Sequence, residues 1–219
     1  MVTFQLRLEM MRGTLLSLAC SIPSPWRCRT LGRVRMGCDR LSQVVLRPVV
    51  AADEPRFLEL ACASVELHHP WVEVPCTPKV FASYLARSDQ VSAACMVLAR
   101  KDRGDLVGMI NINGIVRGPY QRGVLGYAAF LPHAGRGYMS AGVALAVHHA
   151  FDVMGLNRLE ADIQPGNTAS IELVRRLGFR REGLSPDFIR IAGAWRDHER
   201  WAITANMPLP SVHGYGDTE

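Results

Sequence analysis

The chain lacks the usual nucleotide-binding signatures. It has no G-x-x-x-x-G-K-[ST], which excludes a P-loop, and no G-x-G-x-x-G, which excludes the dinucleotide fingerprint. Its six cysteines, at 20, 28, 38, 62, 76 and 95, form no C-x-x-C and keep no zinc-ligand spacing with histidine. They read as free thiols in a reducing compartment, the cytoplasm, and no metal is expected. His148 and His149 are neighbours on a predicted helix and so point to different faces, as surface or core residues do rather than metal ligands. Long apolar runs are missing too. Leu15–Cys20 is far too short to span a bilayer, and Ala19-Cys20-Ser21 makes a poor signal-peptide cleavage site, so no membrane partner is expected.

The formal charge of +5 is unevenly placed. Residues 1–40 carry seven arginines against Glu9 and Asp39, and the remainder is balanced, so the folded part shows no nucleic-acid footprint. Residues 1–40 also differ in composition from the rest of the chain. They are Arg-rich like a transit peptide, but Pro23, Pro25, Gly32 and Gly37 interrupt any helical face. They are expected to be a disordered extension or sequence upstream of a start at Met36. Residues 41–208 supply one domain and 209–219 a tail. Nothing in the sequence speaks to oligomeric state.

Apolar patterning predicts a strand over 43–49, a helix from Ala51 to about Leu67 and a break at His68-His69-Pro70-Trp71. A second helix opens with Thr77 at the N-cap and Pro78 at N1. Strands come next over 92–100 and 106–115, joined by the polar turn 101–105, and then over 124–130. The stretch 125–140, L-G-Y-A-A-F-L-P-H-A-G-R-G-Y-M-S, joins that strand to a helix beginning near Gly137 or Tyr138. A helix start presents N–H groups with no intrahelical acceptor and the positive end of the dipole, so it suits a phosphate. A plain turn gives the same pattern. Downstream, the strand 158–163 leads through Gln164-Pro165-Gly166 into an amphipathic helix from Asn167 that stops at Gly178-Phe179. A hairpin, I-R-I-A-G-A-W-R-D-H over 189–198, precedes the apolar strand at 201–204.

In this order and spacing the segments resemble the GCN5-related N-acetyltransferases (GNAT), over roughly residues 43 to 206. The G-x-W-R-D-H hairpin is similar to that of the RimJ/RimL-type ribosomal-protein-alanine N-acetyltransferases. The resemblance implies an α/β fold with a mixed, mostly antiparallel sheet, splayed central strands and flanking helices. It also implies acetyl-CoA as co-substrate, with an acceptor peptide N-terminus or a small amine as partner.

Carried over residue by residue, the resemblance implies that the pantetheine lies beside the strand ending Tyr127-Ala128-Ala129-Phe130-Leu131, pairing with its amides and reaching Phe130 and Leu131, and that Gly135, Arg136, Gly137, Tyr138, Met139 and Ser140 wrap the diphosphate. Ala134 and Met139 depart from the residues usual there. Asn167 would contact pantetheine, although helix capping explains it equally. Ser170 would protonate the thiolate, because Val174 stands where many relatives carry an acidic tyrosine. Glu160 would be the base, or an ordinary strand carboxylate. His68, His69 and Trp71 would line the acceptor site, or be a core aromatic with surface histidines. Arg175-Arg176 and Arg180-Arg181 would be a solvated helix end or contacts to the 3′-phosphate of CoA. Acetylation of a lysine side chain or a small molecule, and a non-catalytic acetyl-CoA-binding regulator, are the rival readings.

Overall fold

The computed structural model describes residues 41–211. The expectations for residues 1–40, and for the tail beyond 211, lie outside the described residues. The elements run β1 (Val44–Pro48), α1 (Glu54–Ala63), α2 (Val65–His68), α3 (Pro78–Ala86), β2 (Ala94–Arg100), β3 (Leu106–Val116), β4 (Arg122–Ala129), α4 (Tyr138–His148), β5 (Arg158–Ile163), α5 (Thr168–Arg176), β6 (Arg180–Ile191) and β7 (Ala194–Thr204). A 3₁₀ turn, Ala51–Asp53, precedes α1, and a π turn, His149–Val153, ends α4.

Local chemistry sets the helix ends. The Thr77 side chain accepts from Val80 N and Pro78 occupies the first turn, so α3 starts where the sequence predicts. Asn167 caps α5 by accepting from Ser170 N at 3.1 Å. The single first helix expected over 51–67 is instead broken at Ser64, whose hydroxyl donates to Leu60 O at 2.6 Å. Serine hydroxyls compete with the helical ladder in this way.

Seven strands form one sheet in the order β1-β2-β3-β4-β5-β7-β6. Every neighbouring pair is antiparallel except β4 with β5. That parallel pair holds only from Arg122↔Arg158 to Leu125↔Ala161, although β4 continues to Ala129 and β5 to Ile163. Beyond Leu125 the two strands part.

In β5, Leu159, Ala161 and Ile163 share one face and enter a core with Val143, Val147 and Val174 of α4 and α5. On the opposite face α1 and α3 cover the first four strands. Phe57, Phe81 and Phe130 are fully buried there, with the Phe57 ring centroid 5.1 Å from Phe81 and 5.3 Å from Phe130. Where that second face continues over β5 and β7, it carries Arg158, Glu160, Asp162, His198 and Arg200.

Candidate active site

The parting of β4 from β5 exposes main chain. In the β3–β4 ladder Phe130 N donates to Val107 O, so even-numbered residues of β4 turn their peptide groups toward β3. The alternation of an antiparallel ladder then turns Tyr127 and Ala129 toward the opening. Phe130 and Leu131, the pair expected from the sequence, do not offer free amides. Phe130 N is taken by Val107, its ring is buried among aromatics, and Leu131 N donates to Ser64 Oγ at 3.0 Å. The open donors, Tyr127 and Ala129, lie within the expected segment 127–131, ahead of its final pair.

At the end of β4 the chain turns through Pro132–Arg136 into α4. Gly135 and Gly137 have φ of 73° and 82°. Gly137 is the N-cap in a left-handed conformation that a Cβ disfavours. Gly135, Arg136 and Gly137 are exposed, and the first-turn N–H groups of Met139 and Ser140 have no intrahelical acceptor. The side chains of Tyr138 and Met139 serve packing. Tyr138 is buried with Val44, Leu98 and Val107, and the Met139 methyl lies where a Cβ on Gly108 would be, 2.6 Å from it. With both side chains committed to packing, these two residues offer the turn only their main chain.

Across the opening stands the start of α5. Ser170 is half-buried, and the Tyr127 hydroxyl approaches Ser170 O at 3.5 Å. Burial pushes the Tyr127 phenol up to about 12, so it stays protonated at neutral pH. The sequence directed attention to a missing tyrosine at Val174, which is fully buried, and passed over this phenol on the facing strand.

The segment after α2 closes the other side. His68 is buried, not a surface histidine, and its Nε2 donates to Ala129 O at 2.8 Å. Burial lowers its pKa against the pull of that carbonyl, and the neutral ring fastens the end of β4. His69 is exposed. The Trp71 ring lies over the β5–α5 turn, where a Cβ on Gly166 would come 3.2 Å from it. Gln164 Nε2 donates to Pro70 O at 3.0 Å, and Glu73 accepts from Ala192 N at 2.9 Å. Residues 69–73 therefore bridge the β5–α5 turn and the tip of the β6–β7 hairpin.

Two carboxylates lie on the polar face of β5. Glu160 accepts from Arg122 Nη1 (2.9 Å), Arg158 Nε (2.7 Å) and Arg200 Nη2 (3.3 Å), and Arg158 also pairs with Glu182. These arginines come from three strands, so sequence spacing gave no sign of the cluster. Asp162 is the second carboxylate. It lies 2.6 Å from Arg200 Nε, but the two atoms are not aligned for a hydrogen bond, and each is buried without another partner. Among the described residues no three His, Cys, Asp or Glu side chains gather into a metal cage, and no helix is long and apolar enough to cross a membrane.

The sequence matches the family described as acetyltransferase (GNAT) domain over residues 43–180. It is 30% identical over 180 residues to the [ribosomal protein uS5]-alanine N-acetyltransferase of Escherichia coli, covering 78% of this chain and 91% of that one. Among solved structures it resembles Mycobacterium smegmatis RimJ in complex with CoA-disulfide, with TM-score 0.67 and 28% identity, covering 74% of this chain and 82% of the other. Vibrio cholerae spermidine N-acetyltransferase in complex with CoA and spermine shares the fold at TM-score 0.64 and 19% identity, over 78% of this chain and 98% of that one.

Proposed function

The chain belongs to the GNAT family of N-acetyltransferases, and on that premise we propose that it moves the acetyl group of acetyl-CoA directly onto the α-amine at a protein N-terminus, such as that of a ribosomal protein. The observation that carries the reading is the short β4–β5 pairing, which ends at Leu125↔Ala161 and leaves the amides of Tyr127 and Ala129 turned into the gap. A pantetheine arm is amide-bearing and extended, and it pairs with such a strand edge as an added strand does. At the end of β4 the Gly135–Ser140 turn and the α4 N-terminus receive the diphosphate. Asn167 holds the start of α5 while contacting the arm, and Ser170 delivers a proton to the departing thiolate. An amide from the Tyr127–Ala129 edge stabilises the oxyanion.

On the acceptor side, His68, His69 and Trp71 bound the entrance over the polar face of β5 and β7. An α-amine suits this site because its pKa near 7.7–8.0 leaves about a fifth of it neutral at pH 7.2, against below roughly 0.1% for a lysine. A modest proton acceptor is then enough. Glu160, the base expected from the sequence, has three acceptor positions filled by guanidinium groups and serves here to knit β4, β5 and β7 beneath the site. A reducing compartment such as the cytoplasm suits the free thiols of Cys62, Cys76 and Cys95.

CoA release should be followed with peptides bearing free N-terminal Ala or Ser, with N-blocked lysine peptides and with spermidine. The N-terminal peptides are expected to turn over at least tenfold more efficiently. Preference for spermidine or lysine would overturn the acceptor assignment, and absence of turnover with saturable CoA binding would point to a regulator.

A further inference from the structure

A buried amide oxygen with no hydrogen-bond partner and a buried carboxylate paired with one arginine share the polar side of the opening with one glycine. Gly126 is the first residue of β4 past its last pair with β5, and Asp162 is the corresponding first residue of β5. The Arg122–Glu160 hydrogen bond and the Val124↔Glu160 register put Glu160, and so Asp162 two residues on, on the face that Val124, Gly126 and Ala128 share. Asn113 lies opposite Val124 on β3, and its amide leans over Gly126, since a Cβ at 126 would come 3.2 Å from Asn113 Nδ2. Asn113 Oδ1 is buried with no hydrogen-bond partner, while Asp162 Oδ1 is buried in a 2.6 Å ion pair with Arg200 Nε. A buried acceptor left without a donor, as at Asn113, costs free energy and points to a donor supplied from outside, and Asp162 offers a carboxylate on the same face.

We infer that Asn113 and Asp162 form the seat of the acceptor amine above Gly126, and that Asp162 takes the proton the amine must lose. This rests on the proposed transferase activity. The strands either side of β4 stand about 10 Å apart where they pair, and the gap widens from Gly126 as β5 parts from β4. Two short side chains reaching inward from β3 and β5 leave that gap to a donor nitrogen. With no side chain at Gly126, only the Asn113 amide borders the space from below.

Of the two carboxylates on this face, Glu160 accepts from three arginines, whereas Asp162 pairs with Arg200 alone among the described residues. Burial holds the Asp162 carboxyl above its ordinary range. Arg200 and His198 of β7 pull it down and Glu160 of β5 pushes it up, while Arg122 of β4 is paired with Glu160. In the step itself an N–H bond of the ammonium breaks and its proton passes to Asp162. The freed lone pair forms the C–N bond at the thioester carbonyl and leaves the nitrogen cationic. The C–S bond then breaks, a second N–H bond of that nitrogen breaks, and this second proton balances the one the thiolate takes up. The sum is thioester plus amine giving amide plus thiol, with the ammonium's proton later released to solvent.

The test uses the full chain, acetyl-CoA and a short peptide with a free N-terminal Ala, reading kcat and KM from pH 5.5 to 9 and CoA affinity by calorimetry. D162N should lower kcat at pH 7 by about a hundredfold and erase the acid limb of the profile while CoA affinity holds. G126A should raise the amine KM by about tenfold, the scale of one extra methyl in a fitted pocket, again without changing CoA affinity. If D162N does not fold, G126A and N113L, which keep the carboxylate, carry the test through the amine KM. A wild type that turns over while D162N keeps the acid limb, or while G126A and N113L leave KM unmoved, overturns the seat and leaves the transferase reading standing. A wild type that turns over no amine overturns both.

Discussion

Replacing Glu160 by Gln separates a structural carboxylate from a catalytic one. The Glu160 side chain is 8% exposed, while Arg122, Arg158 and Arg200 keep 34%, 27% and 28% of theirs in water. Glutamine has one oxygen to offer and turns an NH₂ toward guanidinium donors. Arg158 keeps Glu182 and Arg200 keeps Asp162, but Arg122 loses its carboxylate partner among the described residues. Breaking a fully buried pair costs about 3–5 kcal/mol. Three partners that stay roughly one-third hydrated reduce this to about 2 kcal/mol, because exposed ion pairs contribute little and the arginines rehydrate. For a domain of this size that is a fall in Tm of about 4–8 °C. Urea and thermal unfolding of E160Q measure it directly. The same variant should keep the acid limb of its pH–rate profile. A Tm within a degree of wild type, or an acid limb lost with E160Q and kept with D162N, would refute this assignment.

Two further outcomes concern the ends of β4. Gly137→Ala puts a Cβ on a residue with φ of 82°, a strain of about 1–2 kcal/mol that the free turn sheds by leaving this conformation and must regain on binding, so CoA should bind about tenfold more weakly by calorimetry. His68→Phe strands the Ala129 carbonyl and should cost about 1–3 kcal/mol in urea. Because burial depresses the folded-state pKa of His68, its contribution is complete above the unfolded value of about 6.5 and is lost as pH falls from there toward the folded value. The wild type should therefore weaken between pH 7 and pH 5.5 more than the Phe variant does, and parallel curves would remove His68 from the account.

Features settled by neighbours in the chain were legible in the sequence. Thr77-Pro78, Asn167 and Gly137 each act within three or four residues, and all three mark helix starts in the structure. The alternation of β5 was equally plain, because apolar and charged residues change places at every step. The first half of β6 was missed. It lies at the sheet edge with Arg180, Arg181 and Glu182 exposed, it carries Gly183 and Pro186, and its register slips twice, so no period-two pattern survives. The site's finer chemistry was hidden for another reason. Residues 113 and 126, and residues 122, 158, 160, 162 and 200, meet only through strand register, which spacing along the chain does not encode.

The four residue pairs between β4 and β5 join a leaf of four strands to a leaf of three. Away from that junction, Gln164 with Pro70 and Glu73 with Ala192 tie the leaves together through one short loop. On the proposed function, coenzyme grip and doorway breadth belong to separate stretches of chain. Remodelling residues 69–77 is a route to admitting bulkier or slimmer nucleophiles while the acyl-handling end stays untouched.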